Sequence, residues 1–319
     1  MDDFIVLIAG ISGLWGGTEI VVRNALVLAK KYNVSELFIG LTILAFGTDL
    51  PELVVAIDGA FHNLKGVNVS GVIVGNAIGS SVCQISIVMG LTAFFHFLKV
   101  EKKQVRYMAI ELIGSLLLLL LLAFDHTITW NDGALMIVVF LIYIFTRLQR
   151  EPKQLQAEFK IDKKRSLNDV LPVIFLVLGV GLVIFSSDIT IKHALNIAQI
   201  WEVRQSFVGA VIIGLGSSLP ELAVSVNAAI KKKPGLSIGN IIGSNIFDLL
   251  IPLGMASLVA DIRVIKETLW FDIPFLLLIS ISVLWFLDEK RGLKRSQGII
   301  LLCSYVLYAV IKYLFSDPG

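Results

Sequence analysis

The chain has 319 residues, of which 56% are hydrophobic and 16% charged, with a formal net charge of +2 and a mean hydropathy of +0.84. That balance excludes an ordinary water-soluble domain, and charge confined to short connections excludes a nucleic-acid binder. Cys83 and Cys303 stand in apolar segments without metal-type or redox-type spacing, and read as packing residues.

At the N-terminus, MDDF runs straight into IVLIAG with no basic leader, so a cleaved signal peptide is not expected. Apolar windows follow at 4–31, 36–61, 67–98, 106–124, 132–150, 169–198, 205–230, 236–260, 268–287 and 296–315. Each is near the ~20 residues that a helix needs to cross a bilayer. No stretch alternates apolar and polar residues over a barrel strand's length. The expected fold is therefore an all-α membrane protein with about ten transmembrane helices. The segment 151–168, rich in Lys, Gln and Glu, is the one polar connection of any length and reads as a tether.

Basic residues are retained on the cytoplasmic side of a membrane. With the N-terminus outside, Lys30 and Lys31, Lys99 to Arg106, the run from Arg147 to Arg165, Lys231 to Lys233, and Lys290 to Arg295 all fall inside. Only Lys65, Arg204, Arg263, Lys266 and Lys312 fall opposite. Both termini are thus expected outside, in a multi-pass cell-membrane protein whose linker 151–168 is cytoplasmic.

The chain also repeats itself. Residues 18–52 align on 187–221 without a gap, bringing Gly47 onto Gly216 and Leu50-Pro51-Glu52 onto Leu219-Pro220-Glu221. After a shorter loop, Gly75-Asn76 falls on Gly239-Asn240, Gly79-Ser80 on Gly243-Ser244, and Gly90 on Gly254. Each copy holds five spans, and an odd number makes the second copy enter from the other side. The expected division is a first five-helix repeat at 1–150, the linker 151–168, and an inverted second repeat at 169–319.

Thr48 and Glu52, Ser80 and Gln84, Ser217 and Glu221, and Ser244 and Asp248 are each four residues apart, hence on one helix face. Four helices so present a hydroxyl and a second oxygen ligand near mid-span, a donor set for hard cations and not for soft metals. Pro51 and Pro220 cannot donate to carbonyls one turn earlier, at Gly47 and Gly216, which loosens both helices there. The pairs Gly75/Gly79 and Gly239/Gly243 have the spacing that lets helices approach closely.

With G-[ST]-x-L-P-E and G-N-x-I-G-S each present in both halves, the sequence resembles the cation/calcium exchanger superfamily, specifically the short prokaryotic sodium/calcium exchangers. The resemblance implies ten helices in two inverted five-helix repeats, and exchange of Na+ for Ca2+ by alternating access, with no cofactor and no enzymatic reaction. It implies Glu52 and Glu221 as central Ca2+ ligands, with backbone carbonyls of Thr48 and Ser217. Ser80, Ser218, Ser244, Asp248, Gln84 and the carbonyls of Ala45 and Gly214 would serve Na+ positions or their water. A monomer in the lipid bilayer is expected to suffice.

Two positions depart from the family pattern. Asp49 stands where Ser is usual, and Gln84 where Asn is common. Asp49, Glu52, Glu221 and Asp248 would crowd four carboxylates together, and like charges so close titrate jointly. Asp49 is therefore expected to bind a further cation or a proton, which keeps Ca2+/H+ or another cation exchange as the alternative. An aspartyl protease built on Asp49 and Asp248 is disfavoured, because the two acids stand in non-equivalent turns. A passive channel is disfavoured by the absence of a ligand ring.

Other charged residues have blander readings. Glu19 with Arg23 and Asp188 with Lys192 are spaced for structural ion pairs. Asp58 and Glu111 read as solvated or snorkelling groups near a membrane face in preference to groups that support or gate the ion site. The four histidines are assigned no role.

Overall fold

The computed structural model describes residues 2–31, 48–95, 97–99, 102–150, 170–230, 234–290 and 292–315. Helices occupy most of them: α1 (Asp2–Lys31), α2 (Leu50–Leu64), α3 (Ser70–Phe95), α4 (Lys102–Leu122), α5 (Trp130–Arg150), α6 (Val170–Ile200), α7 (Gln205–Ile230), α8 (Pro234–Val259), α9 (Ile273–Lys290) and α10 (Arg295–Leu314). A π turn at Thr268–Asp272 leads into α9. Nine of these helices are long and apolar enough to cross a membrane. The other, α2, is described over 15 residues; the expected start of its span at 36–47 lies outside the described residues, as does the linker 151–168. The result is an all-α membrane protein whose helix limits fall close to the predicted windows.

Burial separates the helices. The apolar windows of α3 and α8 are 94% and 83% buried, so these two form the centre. By contrast α4, α5, α6 and α10 turn large apolar side chains outward, among them Leu121, Phe145, Leu178 and Leu307. A hydrocarbon solvent, and not water, is the surrounding that such a surface suits. Cys83 is buried in the centre, but Cys303 is exposed, so only the first is a packing residue.

The inverted repeat is visible in contacts that occur twice. Four two-residue strands lie between the helices: β1 (Leu98–Lys99), β2 (Thr127–Ile128), β3 (Ile262–Arg263) and β4 (Gly292–Leu293). β1 pairs with β4, setting Leu98 opposite Leu293, and β2 pairs with β3, setting Ile128 opposite Ile262. The repeat alignment carries Leu98 onto Ile262, so each ladder is the image of the other and each ties one half to the other half.

Glycines repeat the relation between helices. A Cβ on Gly133 of α5 would lie 2.6 Å from the Gly254 carbonyl oxygen of α8, and one on Gly298 of α10 would lie 2.6 Å from the Gly90 carbonyl oxygen of α3. Gly90 and Gly254 are repeat mates, and so are Gly133 and Gly298. With no side chain in the way, each central helix takes its outer neighbour from the fifth helix of one repeat at backbone distance. Gly10, Gly13 and Gly17 of α1 likewise face Thr190, Ser186 and Val183 of α6, which packs those two helices on each other.

The outer helices carry a matched ionic lock. In the first half Arg147 of α5 pairs with Glu111 of α4 and lies over the ring of Tyr143. In the second half Lys312 of α10 pairs with Asp272 at 2.6 Å and with Glu267 at 2.5 Å. Tyr308 donates to Asp272 at 3.1 Å, and Arg204 reaches the other oxygen of Glu267 at 3.1 Å. Tyr143 and Arg147 correspond to Tyr308 and Lys312.

These pairs correct three expectations. Arg147 and Lys312 were counted as loop charges, yet both sit on helices, and Lys312 is fully buried. Glu111 is not a solvated group but the partner of Arg147. A buried charge keeps its place only when paired, which is why the three residues are found this way. Asp188 and Lys192 do pair, at 2.6 Å, whereas Glu19 and Arg23 are both exposed on α1.

Lys312→Ala would leave Asp272 buried without its cation and Glu267 with Arg204 alone, at a cost of about 3–5 kcal/mol. The expected outcome is a clear fall in Tm in detergent, partly recovered by adding Asp272→Asn; an unchanged Tm would show that the lock contributes nothing.

Candidate functional site

The two Leu-Pro-Glu segments begin helical turns, and they do so with the same backbone. Asp49, just before α2, has φ −83° and ψ 5°, and Ser218, within α7, has φ −80° and ψ 4°. Both lie in the sparsely populated bridge region between helix and strand. The helix restarts from these residues, with Leu53 N–H donating to the Asp49 carbonyl at 3.2 Å and Leu222 N–H to the Ser218 carbonyl at 3.1 Å. Pro51 and Pro220 thus stand in a first turn, where a missing N–H costs nothing. The expected break is present, centred on Asp49 and Ser218; Gly47 lies outside the described residues.

Around these breaks gather Thr48, Asp49 and Glu52, Ser80 and Gln84 of α3, Gly214, Ser217, Ser218 and Glu221 of α7, and Ser244 and Asp248 of α8. Every one of these polar side chains is at most 2% exposed. Asp49 faces Glu221 and Ser244, Glu52 faces Ser217 and Asp49, and Glu221 lies within reach of Glu52, Asp49 and Asp248. The structure so brings together all the described residues predicted for the site. Ala45 lies outside the described residues.

Both carboxylate oxygens of Asp49, Glu52 and Glu221, together with Asp248 Oδ1 and Ser244 Oγ, have no hydrogen-bond partner among the described residues. Burying an ionised carboxylate without a partner costs several kcal/mol. A concentration of anionic and neutral oxygens suits hard cations, Na+ and Ca2+ included.

Asp248 is held from one side only. Its Oδ2 accepts from Gln84 Nε2 at 2.9 Å and from Ser80 Oγ at 3.1 Å, which leaves Oδ1 free. Asn245 Nδ2 donates to Gln84 Oε1 at 2.8 Å. With its oxygen accepting from Asn245, the Gln84 amide must turn its nitrogen to Asp248. Asn76 contributes in the same way, accepting from Ser217 Oγ at 3.3 Å. Neither asparagine was singled out as a site residue. Asn76 was legible as the repeated Asn of the G-N pair, but Asn245 has Ser81 for a repeat mate, so the repeat gave no signal for it.

The same level of the two central helices is loosened by different devices. In α3 a π turn runs over Gln84–Val88. In α8 the matching stretch ends at Pro252, inside the helix, which has no N–H to give to the carbonyl of Asp248. Gly75 and Gly79 press α3 onto α7 as expected: a Cβ on Gly75 would lie 2.7 Å from the Ser206 carbonyl oxygen, and one on Gly214 would lie 2.7 Å from the Ser80 nitrogen. Ser218 Oγ reaches the Gly214 carbonyl at 2.8 Å and that of Ser80 at 3.5 Å across this contact. Among the described residues a Cβ on Gly239 would meet nothing within 4 Å, and one on Gly243 only the Tyr143 hydroxyl at 3.8 Å, so the close approach expected of that pair is not seen there.

Comparison with known proteins agrees with this architecture. The family model described as sodium/calcium exchanger protein matches residues 3–149 and 171–314. The sodium/calcium exchanger MaX1 of Methanosarcina acetivorans is 25% identical over 349 residues, covering 98% of each chain. CaxA of Alkalimonas amylolytica is 30% identical over 317 residues, covering 97% of each. Among solved structures, the sodium-calcium exchanger NCX_Mj soaked with 2.5 mM Na+ and 0.1 mM Ca2+ superposes with a TM-score of 0.66 at 26% identity, over 97% of this chain and 98% of that one. With both halves matched and the repeated motifs in place at the centre of the fold, the chain belongs to the sodium/calcium exchanger protein family.

Proposed function

We propose that this protein is a secondary-active antiporter that exchanges Na+ for Ca2+ across the cell membrane by alternating access, in the direction of Ca2+ extrusion. The observation that carries the reading is the set of buried oxygens of Asp49, Glu52, Glu221, Asp248 and Ser244 without hydrogen-bond partners among the described residues. Such a set is stable only when cations or protons neutralise it. In this reading Glu52 and Glu221 are the central Ca2+ ligands, aided by the carbonyls of Thr48 and Ser217. Ser80, Ser218, Ser244, Gln84, Asp248 and the carbonyls of Ala45 and Gly214 serve Na+. The relatives named as sodium/calcium exchangers support this choice of ions. Both termini are placed outside and the 151–168 linker inside, on the distribution of basic residues.

A second reading, exchange of Ca2+ for H+, rests on Asp49. Its carboxylate faces Glu221 and Ser244, while its repeat mate is the uncharged Ser218. A fourth carboxylate in one cluster demands a further positive charge, and a proton is the smallest that fits.

Four outcomes test these assignments. Protein in Na+-loaded liposomes is expected to accumulate labelled Ca2+, and an imposed pH gradient alone should drive none; uptake driven equally by the pH gradient would transfer the assignment to the proton reading. Glu52→Gln and Glu221→Gln should each abolish uptake, and survival of either would undo the ligand assignment. Asp49→Ser should change the Na+ or pH dependence of the flux, and profiles identical to wild type would exclude a role for Asp49 in coupling. Asn245→Ala, which releases the Gln84 amide, is expected to weaken apparent ion affinity by about 10-fold or more, as losses of orienting groups do; an unchanged affinity would separate Asn245 from the site.

A further inference from the structure

His62 and Asp58 of α2 meet Asp188 of α6 at a place the exchange site does not use. Asp58 follows Glu52 by six residues, about 9 Å along the helix axis. One ligand atom from each of Asp58, His62 and Asp188 lies within 4.8 Å of the other two. His62 Nδ1 is 3.0 Å from the Asp58 backbone carbonyl. A carbonyl only accepts, so Nδ1 carries the hydrogen, which leaves Nε2, 3.6 Å from Asp188 Oδ1, as the ring nitrogen available to ligate an ion.

Each carboxylate is oriented as well. Lys192 Nζ holds Asp188 Oδ2 at 2.6 Å, and Ser187 Oγ holds Asp58 Oδ2 at 3.2 Å. This turns the Oδ1 atoms toward the imidazole, with Asp58 Oδ1 at 4.0 Å from its Nδ1. Metal-bound histidines are commonly fixed through the other ring nitrogen by a backbone carbonyl, and metal-bound carboxylates by a further donor. Ligands of a tetrahedral ion with bonds of ~2.0–2.1 Å stand roughly 3.4 Å apart, so small side-chain movements close the triad.

We propose that Asp58, His62 and Asp188 form a binding site for a transition-metal dication of the Zn2+ class. One imidazole and two carboxylates suit Zn2+ better than Ca2+, which takes oxygen ligands in larger number. Three protein ligands leave a fourth position for water, and the 37% exposure of the Asp188 side chain leaves room for it. An ion there joins α2 to α6, two helices of different repeats.

The test uses full-length protein carrying Glu52→Gln, Glu221→Gln, Asp49→Asn and Asp248→Asn, so that no carboxylate of the exchange cluster is left to take up Zn2+, and reads Zn2+ binding by calorimetry and by the rise of Tm with ZnCl2. The site predicts one Zn2+ per chain, a Tm that rises with Zn2+ and returns with chelator, and no such rise with Mg2+. Adding His62→Gln or Asp188→Asn should weaken binding about a hundredfold or more, and Ser187→Ala about tenfold. No Zn2+ bound, or the same affinity after His62→Gln in a protein with an unaltered Tm in the absence of metal, would overturn the proposal.

Discussion

Carboxylates placed in the middle of a membrane protein, away from water and from hydrogen-bond donors, set the terms for everything around them. Glu52, Glu221, Asp49 and Asp248 are fully buried, and most of their oxygens have no donor among the described residues. In hydrocarbon or dry protein such a cluster destabilises the fold unless positive charge joins it. The surrounding backbone serves that need. Leu-Pro-Glu starts a helical turn beside the carboxylates in both halves, and the two central helices are relaxed at the level of Gln84 and Asp248 by a π turn in one and Pro252 in the other.

Holding four helices around such a cluster requires close backbone contact, because polar groups alone would splay them apart. Glycine supplies it where α3 meets α7 and α10, and where α8 meets α5. Farther out, the ladders β1·β4 and β2·β3 clasp the ends of the halves together. The ionic locks at Arg147 and Lys312 pin the outermost helices. The ladders, the glycine contacts of α5 and α10 and the ionic locks each occur twice, as an inverted repeat demands.

The symmetry fails within the carboxylate cluster. Asp49 faces the cluster where its mate is Ser218, and Gln84 donates to its own repeat mate, Asp248. An exchanger that binds ions of different charge gains from such inequality, since a site of perfect twofold symmetry offers each pair of positions the same field. Asn245 belongs to this asymmetric part, orienting Gln84 without a counterpart in the first half.

Much of this was legible from residue order. Long apolar windows determined the helices, because hydrocarbon leaves the backbone no other way to satisfy its hydrogen bonds. The repeat of Gly, Pro and Glu determined the inversion and the four site helices, since spacing of four residues sets side chains on one face whatever the rest of the fold does. The partners of Arg147, Lys312, Glu111 and His62 were not legible. A pair such as Asp58 and Asp188, or Lys312 and Glu267, is separated by many residues and joined only when helices dock, and composition carries no record of which faces meet. The orientation of Asn245 toward Gln84 likewise depends on how α8 is rotated against α3. Local periodicity therefore decided which atoms face inward, and tertiary packing decided which of them touch.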